Sequence, residues 1–302
     1  MSFEKTTPVR AYLLLVAGAI VYGAVFTVNK MAAEAGVMPL AYGFWQSFGA
    51  GLVLWIILLL KGERLPLGRI HLLSYLVIGG LAVGIPISLL TYAAPRLPAG
   101  LLTIVLALSP PLTFLLSVLA GIDRFRALGL LGVGFGLAGV LVIVGPGLAK
   151  SAPDAWLWFL LGLIAPLLFA SSNVAAALLR PPLSSSLAMA SGMLFGSSLV
   201  LLPIMLIAGQ AELPTAEGAI PIALAGAINA VFFVFFFEII RLAGPTFFAQ
   251  FNYLAVLAGV GWSMLALGER LSVYFFVAML LMFVGVFLSA RRAVPQPPAH
   301  PA

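Results

Sequence analysis

Residues 38–60 read MPLAYGFWQSFGAGLVLWIILLL, a run without a single charged side chain. An α-helix needs about 20 apolar residues to cross the hydrocarbon core of a bilayer. Similar stretches recur along the whole chain, near residues 11–29, 70–93, 98–120, 127–148, 155–178, 184–208, 217–241, 245–267 and 272–290. The pattern predicts an all-α integral membrane protein with ten transmembrane helices.

Composition supports this fold class. Hydrophobic residues make up 63% of the 302 residues and charged residues only 8%, which is more apolar surface than a soluble domain of this length can bury. The net charge of +6 comes from 15 basic residues scattered through loops, so we expect the lipid bilayer and no nucleic acid as partner. The absence of cysteine excludes disulfides, thiolate catalysis and cysteine-ligated metals.

The second half of the chain repeats features of the first. Residues 184–208, SSSLAMASGMLFGSSLVLLPIMLIA, carry the small-residue ladder of residues 38–60 at a fixed spacing, and such ladders let helix backbones approach closely in a membrane. The paired positions are Gly43 and Ala188, Ser47 and Gly192, and Gly51 and Gly196. Because each half holds five predicted helices, an odd number, the halves must enter the membrane from opposite sides. We therefore expect two inverted five-helix repeats, residues 10–148 and 155–292, and a disordered proline-rich cytoplasmic tail, residues 293–302.

Basic residues predict the orientation of the chain. With ten helices, only Lys30, Arg96, Lys150 and Arg270 of the 15 basic residues fall on the side opposite the N-terminus. Loops rich in Lys and Arg stay in the cytoplasm, so both termini are expected there.

Three short motifs resemble the EamA family of the drug/metabolite transporter superfamily. Residues 22–26, Tyr-Gly-Ala-Val-Phe, with Lys30 after them, are similar to the family's opening motif. Pro110-Pro111 resembles its mid-helix proline, and residues 267–272, LGERLS, followed by Gly285, resemble its last signature. The resemblance covers about residues 10–290 and is greatest to the YddG-type exporters of aromatic amino acids. It implies a bacterial inner-membrane location, with the fifth and tenth helices at the periphery of a central cavity.

One position departs from the family pattern. The second helix of the family usually carries an Arg-Phe motif, whereas this chain reads Gln46-Ser47-Phe48. Either a cationic partner for a substrate carboxylate is missing here, or Gln46 replaces it as a neutral hydrogen-bonding group.

Inverted repeats are typical of alternating-access transporters with a substrate site near the midplane. We therefore expect a secondary transporter that exports amino acids or similar small amphipathic metabolites. The alternatives are an exporter of cationic drugs or other metabolites and, from a different class, an integral membrane lipid-modifying enzyme. The enzyme would need a titratable cluster near an interface. No catalytic residue, metal site, cofactor or ATPase subunit is expected.

Polar side chains within the apolar segments define a candidate substrate cavity. Buried amides and hydroxyls need partners, so they should face the protein interior or a wet cavity, either as interhelical hydrogen bonds or as substrate contacts. The candidates are Tyr22, Trp45, Gln46, Ser88, Tyr92, Ser109, Asn173, Asn229, Gln250, Asn252 and Tyr253. Together they predict a neutral cavity with aromatic walls, suited to a small zwitterion or an amphipathic aromatic molecule.

Prolines inside the apolar segments are candidate hinges: Pro86, Pro110, Pro111 and Pro166. Each removes an amide donor and frees a carbonyl one turn earlier, so each marks either a pivot or a packing kink.

Glu238 is the one carboxylate well inside a predicted helix, which makes it a possible coupling residue. Arg241 lies three residues later on the same helix face, so a local ion pair is the other interpretation. The aromatic run of residues 232–237, FFVFFF, encircles the same helix, and we expect some of its rings to face lipid.

Overall fold

The computed structural model describes residues 9–86, 89, 109–148, 164–181, 184–267 and 273–290, and their regular structure is helical. The main helices are α1 (Val9–Glu34), α2 (Pro39–Leu60), α3 (Arg69–Gly79), α4 (Ser109–Leu119), α5 (Ala127–Leu148), α6 (Ile164–Leu178), α7 (Ser186–Ile207), α8 (Ala216–Ala243), α9 (Phe251–Leu267) and α10 (Val273–Ala290). A π-helical turn, Gly80–Gly84, continues α3, and a short helix, Pro245–Ala249, precedes α9.

Four of these helices are long and apolar enough to cross a membrane by length and composition: α1 over Val9–Asn29, α2, α7 and α8. The other main helices have shorter described or apolar stretches. A count of ten spans therefore stays a prediction.

Local sequence explains where several helices begin and end. Pro39 is the first residue of α2, where its missing N–H costs nothing. The side chains of Ser185 and Thr215 cap α7 and α8, because their Oγ atoms accept from Ala188 N at 3.2 Å and Gly218 N at 3.1 Å. Gly244 ends α8 at φ +86°, a left-handed conformation that favours glycine.

Contacts between helices of the two halves hold the bundle together. Helix α1 packs against α8 and α9, α2 against α7 and α8, and α3 against α6 and α7. Helix α4 packs against α6, and α5 against α10.

The small-residue ladders lie at these contacts, as predicted. Gly43, Ser47 and Gly51 of α2 are buried. A Cβ atom at Gly196 of α7 would lie 2.5 Å from the carbonyl carbon of Tyr75 in α3, well inside van der Waals contact. Backbone-to-backbone approach of this kind requires glycine.

Helix α8 is the centre of the bundle, since it contacts α1, α2, α6, α7 and the short helix. The rings of residues 232–237, some of which were predicted to face lipid, lie mostly inside the bundle. Phe232, Phe233, Phe236 and Phe237 are buried and Phe235 is half-buried. Neighbouring helices on several sides of α8 cover the four buried rings, and Phe235 alone of the five keeps a partly exposed face.

Candidate functional site

Two buried amides join the halves of the chain. Asn229 Nδ2 in α8 donates to Gln46 Oε1 in α2 at 2.8 Å and to the Ala225 carbonyl at 2.9 Å. Gln46 is 6% exposed and Asn229 8%. Neither Gln46 Nε2 nor Asn229 Oδ1 makes a hydrogen bond to another described residue. The pair therefore keeps one donor and one acceptor available.

A second buried pair joins α4 and α6. Asn173 Nδ2 donates to Thr113 Oγ1 at 3.1 Å, and Thr113 Oγ1 donates to the Ser109 carbonyl at 2.8 Å. Asn173 and Ser109 are both buried, and the Ser109 hydroxyl has no partner among the described residues. The Asn173 contact is therefore an interhelical hydrogen bond, one of the two roles that the sequence allowed for buried amides.

The polar residues at the start of α9, and Gln250 just before it, have different surroundings. Gln250 is fully buried, and neither of its amide atoms has a hydrogen-bond partner in the described part of the chain. Asn252 is half-buried. Tyr253 is fully buried and donates its hydroxyl to the Val133 carbonyl of α5 at 3.3 Å. Tyr253 therefore ties α9 to α5.

Tyr22 of α1 belongs to an aromatic cluster with α8 and α9. Its ring centroid lies 4.3 Å from that of Phe232 and 5.5 Å from that of Phe251. Phe248 stacks on Phe251 at 5.4 Å. The half-buried Tyr22 thus has one apolar wall formed by rings from the second half of the chain.

The structure separates Trp45 from the buried amides. Its indole Nε1 donates to the Glu212 carbonyl at 2.9 Å, in an exposed contact with the segment between α7 and α8. Ser88 and Tyr92 lie outside the described residues.

One predicted hinge proline lies near a helix irregularity, and the other three lie in the first described turns of their helices. Pro86 lies two residues after the π-helical turn Gly80–Gly84. The amide N–H of Ile85 donates to the Gly80 carbonyl, five residues earlier. Pro110 and Pro111 lie in the first described turn of α4.

Pro166 lies in the first described turn of α6. Two further prolines, which were not predicted as hinges, lie inside helices: Pro203 of α7 and Pro221 of α8.

Glu238 makes the predicted ion pair with Arg241. Arg241 Nη2 lies 2.6 Å from Glu238 Oε1, and Arg241 Nε donates to Oε2 at 3.0 Å. Arg10 of α1 adds a second guanidinium at 3.1 Å, and the Ser186 hydroxyl of α7 donates to Oε2 at 2.8 Å. Glu238 therefore links α8 with α1 and α7.

Arg180, at the turn between α6 and α7, was missed as a site residue. Its Nη1 donates to the Phe237 carbonyl at 3.0 Å, and its Nη2 donates to the Ser184 carbonyl at 2.8 Å and to Ser186 Oγ at 3.2 Å. Burial lowers the pKa of the Arg180 guanidinium, Arg241 lowers it further, and Glu238 raises it. The one signal in the sequence is the Pro- and Ser-rich stretch at residues 181–186.

Comparison with known proteins shows the family. The model of the EamA-like transporter family matches residues 9–145 and again residues 156–291. The chain belongs to this family. The family name indicates a membrane transporter rather than an enzyme. Such a protein acts on small molecules in the lipid bilayer.

Individual relatives agree with this assignment. A protein of Escherichia coli strain K12, described as an uncharacterized inner membrane transporter, YedA, is 29% identical over 314 residues, covering 98% of this chain and 97% of the relative. Its counterpart from Escherichia coli O157:H7 matches equally well. A protein crystal structure superposes with a TM-score of 0.80 at 16% identity, covering 95% of this chain and 99% of the other, and so shares the fold.

Proposed function

We propose that the protein is a secondary transporter that exports amino acids or similar small amphipathic metabolites by alternating access. In this proposal ten transmembrane helices form two inverted repeats, residues 10–148 and 155–292. The motif resemblance to the YddG-type exporters supports aromatic amino acids as candidate substrates.

The helix pairs support a two-fold relation between the halves. In such a relation each helix of the first half exchanges with its counterpart in the second half, α1 with α6, α2 with α7 and so on. The contact of α1 with α9 then becomes that of α6 with α4, the contact of α1 with α8 becomes that of α6 with α3, and the contact of α2 with α8 becomes that of α7 with α3. All six of these pairs are in contact, and the contacting pairs α2–α7 and α5–α10 map onto themselves. An exchange of this kind is the relation that an inverted repeat requires.

The observation that carries the substrate proposal is the buried Gln46–Asn229 pair. Each half contributes one amide, so a molecule bound there would sense the relative position of α2 and α8. The available Gln46 Nε2 matches a carboxylate oxygen, and the available Asn229 Oδ1 matches an ammonium group. A neutral amide pair that offers both functions suits a zwitterion.

The aromatic cluster around Tyr22 supports an amphipathic substrate. Tyr22 and Phe232 lie on α1 and α8, the latter being the helix that carries Asn229. A bound amino acid could place its side chain against these rings while the amides hold its polar groups.

Charges in the described part of the chain weigh against the two alternatives. The buried polar residues there are amides and hydroxyls, so a cationic drug would find no buried carboxylate. Glu238 is bonded to two guanidinium groups, which leaves no free acid for lipid chemistry in this cluster. The same pairing supports a structural role for Glu238 rather than proton coupling.

We place the transporter in a bacterial inner membrane with both termini in the cytoplasm. The inner-membrane name of the relative and the distribution of basic residues support this placement.

Transport kinetics of amide variants test the substrate site. In proteoliposomes, Gln46→Leu or Asn229→Leu should raise the half-saturation concentration for amino acid efflux about threefold to tenfold, because a neutral hydrogen bond contributes roughly 0.5–1.5 kcal/mol. The matched control is Asn29→Leu, since Asn29 is an amide whose exposed contact is the Tyr42 hydroxyl at 2.7 Å. Unchanged kinetics in both Gln46→Leu and Asn229→Leu would show that the substrate site lies elsewhere.

The double variant Gln46→Leu with Asn229→Leu separates substrate binding from helix packing. If the two amides only join helices, replacing both removes a matched pair and should restore near-normal transport. If they bind substrate, the double variant should transport worse than either single variant.

A further inference from the structure

An open pocket of about 450 Å³ lies where the ends of α6, α7 and α8 meet. Its volume is within the range of about 300–1,000 Å³ typical of small-molecule sites. Arg180 and Arg241 line it, together with Ala176, Ala177, Pro181, Ser184 and Ile240. The lining therefore combines two guanidinium groups with small apolar side chains.

Arg180 lines this pocket without a direct contact to a carboxylate of the described residues. Within the described residues no carboxylate oxygen lies within 4.0 Å of its guanidinium. The backbone carbonyls of Phe237 and Ser184 orient the group, but neutral acceptors do not neutralise it. A half-buried charge that is fixed in place without a direct ion pair is costly for the fold.

The second guanidinium adds to this excess of positive charge. Arg241 shares its single carboxylate partner, Glu238, with Arg10. Arg180 reaches the same carboxylate only through the Ser186 hydroxyl, which accepts from Arg180 and donates to Glu238. Burial and, second, the charge of Arg241 lower the pKa of Arg180, while Glu238 raises it, so repulsion between the two guanidinium groups is part of the cost. An anion in the pocket would relieve this repulsion.

We propose that the pocket binds an oxyanion, with Arg180 as the principal donor and Arg241 as the second. Within the part of the chain that the structure describes, three of the five N–H groups of Arg180 donate to protein oxygens, which leaves two for an anion, and Nη1 of Arg241 is not engaged by Glu238. Charge-assisted hydrogen bonds from these groups suit a carboxylate or a phosphate oxygen. The anion could come from a small molecule in the aqueous phase or from the phosphate of a lipid headgroup, and both present the same oxygens. Ala177 and Ile240 leave an apolar wall for the hydrocarbon part of the ligand.

This site is separate from the amide pair and does not require transport to be detected. Under the proposed topology it lies on the cytoplasmic side, where an exporter collects its substrate. Binding can be measured on the purified full chain in an uncharged detergent, so its failure is distinct from a failure of the proposed function.

Benzoate and inorganic phosphate are the aqueous probes, and titration measures their binding. Phosphatidylglycerol is the lipid probe, with phosphatidylcholine for comparison, and native mass spectrometry measures its binding. At least one oxyanion should bind the unmodified protein, and Arg180→Gln should weaken that binding at least about tenfold, as expected for loss of a charge-assisted contact. Arg180→Lys keeps the charge and should weaken it less. Ala177→Phe should fill the pocket and abolish binding with every charge intact.

Arg10→Gln is the matched control, because it removes the same charge from the same cluster but does not line the pocket. It should change affinity less than about threefold. Binding of benzoate or phosphate identifies an aqueous anion, and binding of phosphatidylglycerol alone identifies a headgroup. The proposal is overturned if no probe binds, if Arg10→Gln and Arg180→Gln weaken binding equally, or if Ala177→Phe binds normally.

Discussion

The contact between α3 and α7 predicts a large effect of one added methyl group. In Gly196→Ala the new Cβ would lie 2.5 Å from the Tyr75 carbonyl carbon and 3.0 Å from Leu76 N. Both are backbone atoms, so no side-chain rotation can relieve the overlap. The Tyr75 carbonyl oxygen lies closer still, and ordinary contact begins near 3.4 Å, so the two helices must separate by roughly 1 Å or more. Such overpacking costs about 1–3 kcal/mol.

The matched control is Gly49→Ala on α2, where nothing lies within 4 Å of the added atom. Alanine stabilises a helix by about 1 kcal/mol relative to glycine at either position. The two variants should therefore differ in free energy of unfolding by about 1–3 kcal/mol, with Gly196→Ala the less stable. Unfolding of the purified proteins in mixed micelles of mild detergent and dodecyl sulfate measures the difference. Equal stability of both variants would refute close approach of α3 and α7.

Three further results are expected. Glu238→Gln should preserve substrate flux and its response to an imposed pH gradient, since the carboxylate is held by guanidinium groups; a gradient response lost in this variant would make Glu238 a proton carrier. Thr113→Val should destabilise the protein by about 1–3 kcal/mol in the same unfolding assay, because the buried Asn173 Nδ2 loses its acceptor; an unchanged midpoint would mean that Asn173 finds another partner. Single cysteines in this cysteine-free chain should label from the cytoplasm at position 2 and from outside at position 150. If both label from one side, the first repeat has an even number of spans and the repeats are not inverted.

Helix positions were largely predictable from sequence because hydropathy depends on local composition alone. The prediction of residues 38–60 agrees with α2, Pro39–Leu60, to within one residue. Residues 245–267 were predicted as one helix, but the structure divides them into Pro245–Ala249 and Phe251–Leu267.

The surroundings of a side chain were less predictable, since they depend on which helices pack together. The phenylalanines of residues 232–237 point around α8, and an isolated helix in lipid would expose some of them. They are buried or half-buried because α8 has neighbours on several sides. Helix pairing of this kind is not encoded in the periodicity of one segment.

For the candidate site, too, the burial of side chains was predictable from sequence but their partners were not. Burial of Gln46 and Asn229 followed from the cost of an amide in lipid, but their mutual hydrogen bond required knowledge that α2 contacts α8. Arg180 counted only as one basic residue in a loop. Its lack of a direct carboxylate contact became visible only when α8 placed Phe237 and Arg241 beside it.

Counterflow in proteoliposomes tests the central claim most directly. Vesicles containing the purified protein are preloaded with unlabelled amino acid and mixed with a trace of the labelled compound, without any ion gradient. An exporter with a neutral zwitterion site should accumulate label transiently, and an analogue lacking either the carboxylate or the ammonium group should compete poorly. The absence of counterflow for every amino acid tested, or equal competition by both truncated analogues, would contradict the account.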